Sequence, residues 1–135
     1  MTLAEVLVAL AMLSIGLFGL TESFVRLHRS AEARRLELQA AYLTDDLLAS
    51  RQAAGYSELD QRIRSRNEDP AQAEWDSERQ TAVVGDSTFG WLVHLRREQA
   101  DGQARIWIEI IVDWPDPLAP TETREKDAIG YVFAP

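Results

Sequence analysis

Glu5 is the only charge in the first twenty-one residues, Met1-Thr-Leu-Ala-Glu-Val-Leu-Val-Ala-Leu-Ala-Met-Leu-Ser-Ile-Gly-Leu-Phe-Gly-Leu-Thr21, and its surroundings demand a chemical explanation. A lone carboxylate in a lipid-compatible run costs on the order of a few kcal/mol unless it is paired, neutralised or held at an interface. Elsewhere the reactive side chains are sparse. Cysteine is absent, which removes thiolate catalysis, cysteine-ligated zinc and iron–sulfur chemistry, and only His28 and His94 offer imidazole. No glycine-rich phosphate loop occurs and no serine has a base close to it in sequence, so the expectation is a protein that is not an enzyme. Asp113, Asp116, Glu122, Glu125 and Asp127 gather around a proline-rich stretch, and Ca²⁺ takes such oxygens. Their spacing is not that of an EF-hand, and a solvated acidic loop without metal is the plainer expectation.

The elements that must position these groups follow from periodicity. At 1.5 Å per residue, a helix of twenty-one residues spans roughly 30 Å, the hydrocarbon thickness of a bilayer. No proline precedes Pro70, and Thr2 to about Ala54 are mostly helix formers, which predicts one long helix with Gly55 as its C-cap. Past Thr21 that helix turns amphipathic. Leu36, Ala40, Leu43, Leu47 and Ala54 recur every few residues as a core-facing stripe, and Arg29, Glu32, Arg35, Asp45 and Arg51 mark the opposite, solvated side. Residues 56–80 are polar and read as a connecting loop with a short helix at most, anchored by Ile63 and Trp75. From Thr81 the period falls to two. Phe89, Trp91, Val93 and Leu95 form one buried strand face; Ile106, Ile108, Ile110, Val112 and Trp114 form the next, with Ala100-Asp-Gly-Gln103 as the turn between. Ala82–Val84 and Ile129–Phe133 supply outer strands, and prolines make Asp113–Pro120 a loop. The predicted class is α+β: a long N-terminal helix packed on a small antiparallel sheet, with residues 1–23 as a transmembrane and assembly half and 24–135 as the globular domain.

Net charge bounds the partners. At −8 with an isoelectric point near 4.7, the chain lacks the basic field that phosphate neutralisation needs, so nucleic acid is an unlikely partner. The local basic group Arg26, Arg29, Arg34 and Arg35 directly follows the apolar run and is a candidate for contacts with neighbouring subunits or lipid headgroups. Glu32 and Glu37 lie close enough in sequence to satisfy some of these arginines locally. By the positive-inside rule alone the arginines would hold the soluble part in the cytoplasm. That contradiction disappears if a short basic leader once preceded Met1 and was removed, leaving a new amine at the membrane edge.

Met1-Thr-Leu-Ala-Glu-Val-Leu-Val-Ala-Leu-Ala-Met resembles the mature N-terminus of type IV pilins and type II secretion pseudopilins. The resemblance implies cleavage of a leader by prepilin peptidase, N-methylation of Met1, and an assembly role for Glu5, whose carboxylate would meet the N-terminal amine of its own or a neighbouring chain. A pairing of that kind fixes axial register at some cost in raw stability. The simpler alternative is a carboxylate on a first helical turn, favoured by the helix dipole. Met1 replaces the family's usual phenylalanine, and Glu22 stands where a helix-breaking proline is common. Leu13-Ser-Ile-Gly-Leu-Phe-Gly-Leu20 is more similar to minor pilins of the PilV-like type, whereas the Met-Thr opening is similar to I-class minor pseudopilins. A weaker likeness to the latter persists in Tyr42–Ala49, at Phe89-Gly-Trp91 and in the Ile-rich strand ending at Trp114.

The resemblance therefore implies a structural minor pilin of a type IV pilus. Such a subunit is inserted in the inner membrane with a periplasmic globular domain and passes, with other minor and major pilins and the inner-membrane assembly platform, into a pilus tip. The alternatives are an I-class minor pseudopilin of type II secretion and a membrane-anchored binding module that never polymerises. Gly16 and Gly19 would loosen the helix as it leaves the membrane or admit a neighbouring helix, or are simply tolerated there. Trp107, on the strand face opposite the isoleucine stripe, is a candidate partner contact.

Overall fold

A computed structural model describes residues 2–66, 75–119 and 121–135. Helix α1 spans Leu3–Arg66, 64 residues and about 95 Å of rise. It is followed by strands β1 (Trp75–Val84), β2 (Ser87–Ala100), β3 (Gln103–Pro115) and β4 (Thr123–Phe133). They form one antiparallel sheet in the order β1-β2-β3-β4, each strand beside its sequence neighbour. One sheet face is the core. Phe89, Trp91, Val93 and Leu95 of β2 and Ile106, Ile108, Ile110, Val112 and Trp114 of β3 are all buried, as the period-two pattern predicts. From the helix, Ala40, Leu59 and Ile63 join that cluster, and Ala33 and Thr44 are also buried. The class is α+β as expected.

Turn chemistry sets the register. Asp101 and Gly102 both take positive φ, 53° and 78°, the mirror-image turn that joins β2 to β3 with Ala100 paired to Gln103. Gly85, at φ 64°, does the same between β1 and β2.

Gly55 does more than end a helix. Its φ of 80° and ψ of 167° break α1 into two arms, after which the helix resumes to Arg66. The first arm lies over β3 and β4, where Leu48 and Gln52 press against Gly130. The second arm crosses to β1 and β2: Leu59 and Ile63 are buried, Asp60 pairs with Arg97 of β2 and Arg62 with Asp76 of β1. Open space surrounds Gly55 where a Cβ would sit, so a side chain there meets only backbone strain. Gly55→Ala is expected to cost about 1–3 kcal/mol in urea unfolding; unchanged stability would show that the bend does not depend on this backbone conformation.

The expectation of a loop over 56–80 is thus corrected at both ends. Residues 56–66 are helical and Trp75–Gln80 open β1; residues 67–74 lie outside the described residues, as does the side chain of Trp75, while Ile63 is the anchor expected of it. The loop assigned to Asp113–Pro120 begins later. Asp113, Trp114 and Pro115 still pair with Glu125, Arg124 and Thr123, because pairing with β2 ends at Asp113 and leaves Pro115 flanked on one side only, as at a sheet edge. The outermost strands are also longer than the apolar runs Ala82–Val84 and Ile129–Phe133 that signal them.

Candidate assembly surface

The first thirty residues of α1 are exposed throughout, and none is buried under another of the described elements. Leu3, Leu13, Ile15, Phe18, Leu20 and Phe24 are among the most exposed apolar side chains, and the segment is long and apolar enough to cross a membrane. Three of its hydroxyls are satisfied within the helix. The hydroxyls of Ser14, Thr21 and Ser23 donate to the carbonyls of Leu10, Leu17 and Gly19 at 2.8, 2.7 and 2.9 Å, a bond within the helix that a lipid environment favours.

Glu5 is placed by a feature that the apolar run obscures. The Thr2 amide donates to Glu5 Oε2 at 2.7 Å and the Glu5 amide to Thr2 Oγ1 at 3.4 Å, so Thr2-Leu-Ala-Glu5 is a reciprocal capping box. The signal was present in the S/T-x-x-E spacing. The carboxylate thus has a local partner at the start of α1; Met1, with the amine of the expected pairing, lies outside the described residues. Gly16 and Gly19 sit in unbroken helix with nothing within 4 Å of where a side-chain methyl would stand, which leaves room for close approach of another helix and gives no sign of local loosening.

The basic group divides. Arg26 pairs with Glu22 at 2.6 Å on the same helix, and Arg35 reaches Asp86 in the β1–β2 turn at 3.3 Å. Arg29 and Arg34 are exposed, and neither forms an ion pair among the described residues. Arg34 and Arg35 border a shallow groove with Leu27, Ala31, Leu38 and Tyr42. Neither a protein-family model, nor a curated protein, nor a solved structure matches this chain. Its shape is nevertheless pilin-like: one long N-terminal apolar helix continues into a half that packs on an antiparallel sheet.

Trp107 lies half-buried on the outer sheet face, in register with Arg96 on one side and Tyr131 on the other. Arg105 stacks 4.4 Å from the centroid of Tyr131 and pairs with Glu98 at 2.9 Å, so this face interleaves aromatic and charged groups. Exposed Ile129 and Phe133 extend it along β4.

Two of the five acidic residues near the proline-rich loop, Asp113 and Asp116, are turned to arginines. Asp113 meets Arg79 at 3.3 Å, and Asp116 accepts from Arg124 Nε at 2.7 Å and from the Leu118 amide at 2.8 Å. Among the described residues no three acidic or imidazole groups converge as metal ligands. Arg124 is the first cause, and the Leu118 amide the second, that holds the Asp116 carboxyl below its ordinary value of 3.8. A depressed folded value means that the contribution is complete above 3.8 and fades as pH falls through the folded value. The melting temperature of Asp116→Asn should therefore fall below that of the wild type at neutral pH and converge on it in acid; a gap that persists in strong acid would exclude this carboxylate as its source.

A second cluster was hidden in the stretch read as a loop. Arg62 bonds both Asp76 and Glu78, Arg51 reaches Glu78 at 3.3 Å, and Arg66 lies 3.6 Å from Asp76. Burial, then the neighbouring guanidiniums of Arg62 and Arg66, pull Arg51 below its ordinary value. Arg51 is therefore not part of the solvated helix face to which its spacing assigned it.

Proposed function

We propose that this chain is a non-enzymatic structural subunit of a pilin-like assembly: a minor pilin of the PilV-like type, anchored in the inner membrane with its sheet domain in the periplasm and then carried into a pilus tip. The observation that supports this most strongly is the continuity of α1. The exposed apolar half and the first sheet-packed arm form one unbroken helix ahead of Gly55, so moving the apolar half from lipid to a bundle of other helices carries the domain with it. Burial against neighbouring apolar helices replaces lipid contact, while packing and close approach drive the association. On this reading prepilin peptidase and the N-methylation of Met1 generate the amine that Glu5 meets, and the partners are other pilins and the inner-membrane assembly platform.

The capping box makes the Glu5 test sharper. Gln retains an oxygen that can accept the Thr2 amide but carries no charge, so Glu5→Gln preserves the helix start and removes the ion pair. Tagged Glu5→Gln protein should remain in the membrane fraction of its own host and recover roughly tenfold less of the other pilins than wild type. Equal recovery would leave Glu5 with its capping role alone.

The Met-Thr opening favours a second reading, an I-class minor pseudopilin of type II secretion. Identification of the copurifying subunits separates the two: secretion pseudopilins would displace the pilus assignment. Mass spectrometry of the mature protein is the wider check, because an intact leader would keep the amine away from Glu5 and leave a non-polymerising membrane module.

A further inference from the structure

Beyond Thr21 the side of α1 turned away from the sheet carries its own pattern. Phe24, Leu27, Ala31, Arg34, Leu38, Tyr42 and Asp45 follow one another at three or four residues and are all exposed, whereas Ala33, Ala40 and Thr44 on the opposite side are buried. Two charges interrupt this apolar stripe, and neither Arg34 nor Asp45 forms an ion pair among the described residues. They are eleven residues apart, as are Leu27 from Leu38 and Ala31 from Tyr42. Eleven residues make just over three whole helical turns, so the same face recurs at that interval.

We infer that the occupant of this stripe is a second copy of the chain, parallel and displaced by eleven residues, about 16 Å along the axis. The inference rests on the filament reading and adds to it a partner, a register and the residues that set them. In the displaced pair Leu38 of one copy meets Leu27 of the other, Tyr42 packs over the small Ala31, and Asp45 reaches Arg34. Level copies instead oppose Arg34 to Arg34, Tyr42 to Tyr42 and Asp45 to Asp45, with like charges in contact. A common bilayer holds two anchored copies level, so the stripe keeps them apart there and joins them once one has moved along the axis. The sheet, on the far side of α1, leaves the approach open.

The chain has no cysteine, which makes the register directly readable. Full-length Leu27→Cys and Leu38→Cys proteins are purified in a mild non-ionic detergent, where no bilayer plane holds them level, mixed in equal amounts and oxidised with copper phenanthroline. The mixture should give a disulfide-linked pair, and each variant alone should give little. Arg34→Glu in the Leu27→Cys copy should lower the yield about fivefold, and Asp45→Arg in the Leu38→Cys copy should restore it. Linking of Leu38→Cys with itself as efficient as in the mixture would overturn the register, since level and antiparallel pairs both bring that position near its own copy. A yield indifferent to Arg34→Glu, or not restored by Asp45→Arg, would overturn the charge pairing. Recovery of other pilins from host membranes without any mixed crosslink sinks this seam and spares the pilin reading. A mixed crosslink from a chain that recovers no pilins does the reverse.

Discussion

Phe89→Ala should lower the melting temperature of the sheet domain by roughly 20 °C, among the largest effects expected of a single truncation in the sheet core. The side chain is fully buried, and its ring sits 6.2 Å from that of Trp114 at a tilt of 53°. Removing a buried phenylalanine costs about 3–5 kcal/mol through lost transfer energy and the cavity left behind. A domain of about a hundred residues converts each kcal/mol to about 4–8 °C. The site cannot collapse easily. Phe89 is braced by the sheet and belongs to the cluster that holds Ala40 and Trp91, and Ala40 brings no bulk with which to refill the space. Membrane insertion should be unaffected, because the apolar half of α1 is exposed throughout and touches no part of the sheet. A fall of less than about 5 °C would mean that the ring does not close this core.

Phe89 also marks what was legible before any coordinates. Period-two alternation from Phe89 to Leu95 and from Ile106 to Trp114 reports which face is buried, because successive strand side chains point to opposite sides. The Asp101-Gly102 turn fixes the pairing between the two strands, so the centre of the sheet follows from local rules. The outer strands were harder to read. Trp75–Gln80 and Thr123–Asp127 are rich in charge because one neighbour is missing at each sheet edge and because Asp76 and Glu78 face arginines instead of apolar groups. Composition registers that as polarity, and polarity reads as loop.

Gly55 misled for a related reason. A glycine after an amphipathic run is a fair stop signal, and this one does adopt a positive φ. What the local sequence does not carry is that Leu59 and Ile63, only two apolar positions in a charged stretch, find a second patch of sheet to cover. Tertiary contact therefore restarts the helix where propensity alone would end it. Of the candidate surface, the apolar half and Glu5 were legible from charge and length. The stripe from Phe24 to Asp45 was not, because an exposed leucine is informative only once the other side of the helix is known to be occupied.

Arg62→Met is expected to cost about 2–3 kcal/mol, a larger loss than any surface ion pair here can produce. Arg62 hydrogen-bonds both Asp76 and Glu78, whose side chains are 6% and 14% exposed, whereas Arg66 lies farther from them at 3.6 and 3.9 Å, so removing Arg62 takes away the closest partner of two shielded carboxylates. Breaking a buried pair costs about 3–5 kcal/mol, and the lower figure follows because Arg51 and Arg66 remain beside the same carboxylates. Arg26→Ala is the contrast. Its pair with Glu22 leaves 79% and 56% of the two side chains in solvent, and its loss should register below about 0.5 kcal/mol. If the penalty at Arg62 is desolvated charge and not lost packing, taking away a carboxylate as well should return much of it. Arg62→Met combined with Glu78→Leu should therefore recover at least about half of the single-variant loss, since apolar substitutes for a buried pair are often neutral. A double variant no more stable than Arg62→Met would assign the effect to the packing of the aliphatic stem of Arg62, and not to the carboxylates it leaves behind.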